Sequence, residues 1–133
     1  MTTYSKSGAT LPSEITWSDN TCTISDKTIQ GLAFSYSSTD YTYSMHEFSQ
    51  TLSTGLVSWI IYAGPEDETP HINALPAAFT DKYPGITLSG LQFIASSFLK
   101  HVDGLTYSEF LNNAFDQEIP PDHEFTQDSF REF

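Results

Sequence analysis

Carboxylates gather where the chain nears its C-terminal end: Asp116, Glu118, Asp122, His123 and Glu124 lie within nine positions. Hard cations such as calcium take oxygen ligands, so such a cluster is the first place to look for metal chemistry. The spacing does not suit it, because an EF-hand loop needs a run of alternating acids followed by a glycine. His46, His71 and His101 form no His-x-x-x-His pattern, so zinc is not supported either. The cluster reads as a solvated acidic turn, and no metal or other cofactor is expected.

Nucleophile patterns fare no better. Ser97-Phe98-Leu99-Lys100 and Ser18-Asp19-Asn20 match two parts of a serine acyl-enzyme signature, but its Lys-Thr-Gly part is missing. Cys22 is the only cysteine, so no intrachain disulfide can form. It falls on the apolar side of an expected hairpin, where a small buried hydrophobe is the simpler reading. There is no Gly-x-Ser-x-Gly elbow and no P-loop. The chain therefore reads as non-enzymatic, and a small enzyme or metal-dependent hydrolase is the least supported alternative.

Charge gives the stronger signal. Acids outnumber bases 17 to 5, for a net charge of -12, and eight of the acids fall between Asp103 and Phe133. A field of one sign limits what a molecule can touch. Nucleic acid and anionic membrane are repelled, and duplex DNA would gain nothing from counterion release. A basic protein surface is the expected partner. Two segments could meet it. Glu66, Asp67 and Glu68 sit in a Gly/Pro-bounded loop, while Asp122, Glu124 and Asp128 are interleaved with Phe125, Phe130 and Phe133 at the end of the chain. Acids would steer the approach and aromatic rings would anchor it. The plainer reading leaves residues 66–68 as a solvated loop and folds the tail back into grooves of its own domain. Tyr36, Tyr41, Tyr43, Trp59 and Tyr62 fit core and sheet packing, with a weak pointer to an interface.

The elements that would position these residues divide near position 44. Glu14–Ser18 and Thr21–Ser25, joined by Asp19-Asn20, read as a hairpin with Trp17 opposite Cys22 and Ile15 opposite Ile24. Leu32, Phe34 and Tyr36 alternate as a third strand. Ser44 and Glu47 match a capping box, and Met45, Phe48 and Leu52 follow at helical spacing with Gly55 as a stop. Residues 56–63 read as a buried strand, with a continued helix as the rival. A short helix is expected between Pro76 and Pro84. Leu88, Leu91, Ile94, Phe98, Leu99 and Val102 form an apolar stripe after a second box at Ser89. Thr106 and Glu109 form a third box, followed by Tyr107, Phe110, Leu111, Ala114 and Phe115.

The sequence thus predicts an α+β fold: an N-terminal antiparallel β-meander packed by helices, with a C-terminal αα-hairpin of residues 89–117. Leu91, Ile94, Phe98 and Phe110 should form the core of that hairpin. Residues 1–118 form one domain and residues 119–133 an acidic, Phe-containing tail. No apolar run reaches the roughly 18 residues of a membrane span. Met1–Lys6 has no signal-peptide pattern, so a cytoplasmic protein is expected, in the host cytoplasm if phage-encoded. The function expected is that of an acidic binding protein that inhibits or neutralises a basic, nucleic-acid-handling protein. Immunity proteins and phage anti-defence proteins with DNA-like charge are of this kind. Such a binding protein should be a monomer or small homo-oligomer; the second expectation is a structural or assembly subunit of a phage particle or other complex, which should form rings or filaments.

Overall fold

The computed structural model describes residues 1–6, 17–67, 69–102, 104–116 and 124–131. Among them the order is β1 (Thr2–Lys6), β2 (Cys22–Asp26), β3 (Ala33–Tyr36), β4 (Tyr43–Leu52), β5 (Gly55–Ala63), α1 (Ala77–Lys82), a 3-10 turn (Leu88–Gly90), β6 (Gln92–His101), α2 (Tyr107–Asp116) and β7 (Glu124–Arg131). Five strands make an antiparallel sheet in the order β1-β7-β6-β4-β5, and β2 and β3 make a separate two-stranded ribbon. The fold is mostly β. The expected α+β meander with a C-terminal αα-hairpin is not formed.

Two segments that read as helices are strands, and each misreading has a physical cause. In β4, Phe48 and Leu52 satisfy helical and strand spacing alike. The sheet uses the alternation His46, Phe48, Gln50, Leu52 on one face and Tyr43, Met45, Glu47, Ser49 on the other. Gly55, expected as a helix stop, closes the hairpin to β5 at φ 139°, a backbone state that favours glycine. In β6 the alternation is hidden twice. The strand is central and covered on both faces over much of its length, so apolar residues occupy both. The register also shifts between the pairs Glu47–Ala95 and Phe48–Phe93, which leaves Ile94 as the extra residue of a bulge.

Other expectations hold in altered settings. Residues 55–63 form a strand, but at the sheet edge with alternating exposure rather than buried. β3 pairs with β2, so Cys22 lies opposite Tyr36. Trp17, expected opposite Cys22, belongs to no strand and is 62% exposed. The other end of that expected hairpin, 14–16, lies outside the described residues. α1 forms where Pro76 and Pro84 bound it. α2 forms with its capping box: Thr106 N donates to Glu109 Oε2 at 2.8 Å and Glu109 N donates to Thr106 Oγ1 at 3.2 Å.

The core lies on one sheet face. Ile29, Leu32, Phe48, Ile86, Leu91 and Phe93 are buried together, with Phe34, Trp59, Ile72 and Phe79 against them. The β2–β3 ribbon covers the neighbouring part of this face. Phe98 is stacked on Tyr36 at 3.9 Å and meets the edges of Phe34, Tyr41 and Phe130. On the opposite face Ala95, Ser97, Leu99 and Ser129 are also buried, and Phe110 of α2 stacks on Tyr43 at 3.9 Å. Leu91, Phe98 and Phe110 are packed as expected of core residues, but on a sheet and on its two faces rather than between two helices.

Candidate functional site

β4 begins, and β5 and β6 end, at the same end of the sheet. The loop after β5 leaves from there, and so does the turn into α2. That topology gathers residues distant in sequence. An open cleft of about 480 Å³ is lined there by Asp40, Tyr41, Glu66, Lys100 and Tyr107, among others. Tyr107 packs on Gly64 so closely that an added Cβ would lie 2.7 Å from its ring, which accounts for glycine at the first position of the loop. Asp67 shapes the loop: its Oδ2 accepts from Gly64 N at 2.8 Å, and its own N–H donates to Gly64 O at 3.1 Å. Glu66 and Asp67 are exposed. Burial raises the Tyr41 hydroxyl above its ordinary pKa, and the charges of Asp67 and Glu66 raise it further. Tyr107 is raised by burial and by Asp67. The two tyrosines therefore stand within the field of the acidic loop. Lys100 forms an ion pair with Asp40, so this cation is already neutralised within the chain.

The candidate contact residues named from sequence separate into groups. Glu66 and Asp67 stand at this end of the sheet. Glu124 begins β7 at the same end, one position before Phe125 pairs with His101. At about 4.8 Å per strand it lies roughly 14 Å across the sheet from β5. Phe125 is half-buried, with its ring 5.8 Å from that of His101. Phe130 is half-buried against Tyr36 and Phe98. Asp128 is 6% exposed and cannot meet a partner. Its carboxylate accepts from Ser18 Oγ at 2.6 Å, Tyr36 OH at 2.6 Å, Thr2 Oγ1 at 2.7 Å and Asn20 Nδ2 at 2.9 Å. The segment read as a tail is in this stretch a sheet strand that turns its rings inward. Glu68, Asp122 and Phe133 lie outside the described residues. Sequence reasoning did not join Asp40, Tyr41 and Tyr107 to the loop. No local pattern could have done so, because their meeting depends on the strand order.

A second polar constellation is internal. His46 is fully buried between two serines, with Nδ1 2.8 Å from Ser96 Oγ and Nε2 3.0 Å from Ser44 Oγ. Ser44 Oγ donates to the Ala63 carbonyl, so it is free to accept from Nε2–H, and Nδ1 then accepts from Ser96. The ring is satisfied as a neutral imidazole and touches no solvent, so it is a structural group rather than a base. Burial lowers its pKa from 6.5 to about 4. A base with a depressed folded pKa contributes stability fully above its unfolded pKa. That contribution is lost as the pH falls from about 6.5 towards 4, because only the unfolded chain takes the proton. Unfolding free energies at pH 7 and near pH 4, read by denaturant titration, should differ by about 3 kcal/mol from this residue. A flat profile across that window would mean that the ring has access to water.

Cys22 is not poised for nucleophilic chemistry, since burial pushes its thiol up to about 11 and it keeps its proton at neutral pH. Among the described residues no three His, Cys, Asp or Glu side chains are grouped as a metal site would need. No described helix is long and apolar enough to cross a membrane. Compared with known proteins, the chain matches no family model, no curated protein and no solved structure.

Proposed function

We propose that this chain is a non-enzymatic binding protein whose acidic, tyrosine-bearing end of the sheet takes a basic protein surface. The observation that carries the reading is the loop of Glu66 and Asp67 held beside Tyr41 and Tyr107. Exposed carboxylates provide attraction over distance, and adjacent aromatic rings provide contact area once the partner has arrived. Glu109, exposed in the first turn of α2, adds a carboxylate of the same sign. A basic protein that handles nucleic acid is the partner chemistry that suits this field best, and inhibition by occupying its cationic surface is the expected effect. Direct binding to nucleic acid or to anionic membrane is opposed by the net charge of -12.

The test uses conservative neutralisation. Glu66→Gln and Asp67→Asn, with Glu68→Gln, remove charge, while the amide oxygen that replaces the Asp67 carboxylate can still accept from Gly64 N. Affinity capture from a host lysate should recover a basic protein with the wild-type chain. The triple variant should lose at least about tenfold in recovery, which corresponds to about 1.4 kcal/mol. Equal recovery of the same protein by both would remove the loop from the interface.

A second reading, an assembly subunit, is favoured by a different observation. The outer strand β5 presents Leu56, Ile60 and Tyr62 to solvent at 68%, 44% and 42% exposure. Chromatography with light scattering distinguishes the two, since an assembly subunit forms rings or filaments and an inhibitor does not.

A further inference from the structure

We propose that β5 is the edge through which two copies of this chain join, by antiparallel pairing of β5 with itself across a two-fold axis. A free strand edge offers a row of backbone donors and acceptors, and natural sheets blunt such edges with charge, proline, bulges or a covering element. β5 has no charge, proline or bulge of its own. Its nine residues, Gly-Leu-Val-Ser-Trp-Ile-Ile-Tyr-Ala, contain no charge and no proline. It runs beside β4 from Leu52–Gly55 to Ser44–Ala63 without a register shift. In an antiparallel ladder alternate residues aim their N–H and C=O groups away from the partner strand, so the outer side of β5 carries a regular set of them. Among the described residues no backbone hydrogen bond outside the β4 ladder reaches β5. The other edge, β1, has only five residues and ends at Lys6.

The occupant follows from chemistry. The covering strand must be extended, uncharged and apolar on alternate positions, and β5 itself meets each condition. The register that pairs all nine residues has its axis at Trp59. Leu56 of one copy then lies opposite Tyr62 of the other, and Ser58 opposite Ile60. The exposed row of each copy meets the exposed row of its partner, and aliphatic–aromatic cross-strand pairs of this kind stabilise antiparallel ladders. The closed two-fold limits growth to a dimer. The edge itself carries no charge, but Glu66 and Asp67 stand beside the last residues of β5 and the two molecules repel each other. Salt screens that repulsion, so the dimer should tighten as salt rises. This sign is opposite to that expected for a basic partner at the Glu66–Asp67 loop, so the two readings fail independently.

The test is sedimentation velocity on the full chain over a range of protein and salt concentrations. The wild-type chain should show a monomer–dimer equilibrium that strengthens with salt. Leu56→Lys with Ile60→Lys should weaken it by at least about tenfold, because each copy brings two unpaired charges to the seam. Circular dichroism of the dilute variant should match that of the wild-type monomer. Should the double variant fail to fold, Ser58→Lys, at an already exposed position, has the same effect. Glu66→Gln with Asp67→Asn should leave the dimer intact. A chain that stays monomeric at all salt concentrations, or a dimer indifferent to the lysine substitutions, overturns the proposal.

Discussion

Asp128→Ala should destabilise the fold by about 4 kcal/mol, the range reached when a buried hydrogen-bond network loses its central acceptor. Among the described residues the carboxylate joins β1, β7, the segment before β2 and the end of β3, through Thr2, Ser18, Asn20 and Tyr36. Its removal takes the shared acceptor from four donors at once. Burial by itself would raise the carboxyl pKa. The four hydrogen bonds outweigh it and hold the group below the usual carboxylate range. An acid with a depressed folded pKa contributes its stability above the unfolded value and loses it as pH falls through the folded one. Its acid transition therefore lies below that of His46, and the two can be separated in a pH series. Tyr36→Phe, which removes one donor and keeps the ring, should cost only about 1 to 2 kcal/mol. Urea denaturation reads both variants. If Asp128→Ala costs no more than Tyr36→Phe, the cluster is open to water and does not clasp the ribbon to the sheet.

Phe98→Ala should cost about 3 to 5 kcal/mol, the usual penalty for truncating a buried phenylalanine. Phe98 is 2% exposed, stacked on Tyr36 and edge-on to Phe34, Tyr41 and Phe130. Tyr36 is held by Asp128 and Phe34 by its strand, so neither readily moves into the space. Phe98 and Asp128 are also cross-strand partners. Both position Tyr36, so the double variant should lose less than the two single losses added together. A loss below about 1 kcal/mol for Phe98→Ala would place this ring at the surface.

The sequence was legible where a local rule has one structural outcome. The Thr106–Glu109 box and the proline-bounded stretch at 77–82 specify helices, while residues 56–63, read as a buried strand with a continued helix as the rival, form an edge strand. It was not legible where two periods coincide. Met45, Phe48 and Leu52 fit a helix, but the same stretch alternates once strands stand on both sides of it. β6 hides its alternation behind a bulge at Ile94 and burial on both faces. A central strand has no solvent side to mark its period. The acids divided in the same way. Charge and loop composition at 64–70 pointed to exposure, as found for Glu66 and Asp67. At Asp128 composition pointed to solvent, and only the strand pairing with β1 and β6 shows why a carboxylate belongs inside. The proximity of Asp40, Tyr41 and Tyr107 to the loop is a product of strand order, which no local pattern encodes.

The central functional claim is that charge at the acidic end of the sheet steers a basic partner. The measurement that addresses it most directly is the association rate with the captured partner as a function of salt, for the wild-type chain and for the variant neutralised at Glu66, Asp67 and Glu68. The wild-type on-rate should fall steeply as salt rises while dissociation changes little, because exposed charges are screened over a Debye length of about 8 Å at physiological ionic strength. The variant should start lower and show a shallower slope. An on-rate that is independent of salt and identical in both proteins would overturn the claim, and would leave the acidic balance as a solubility device.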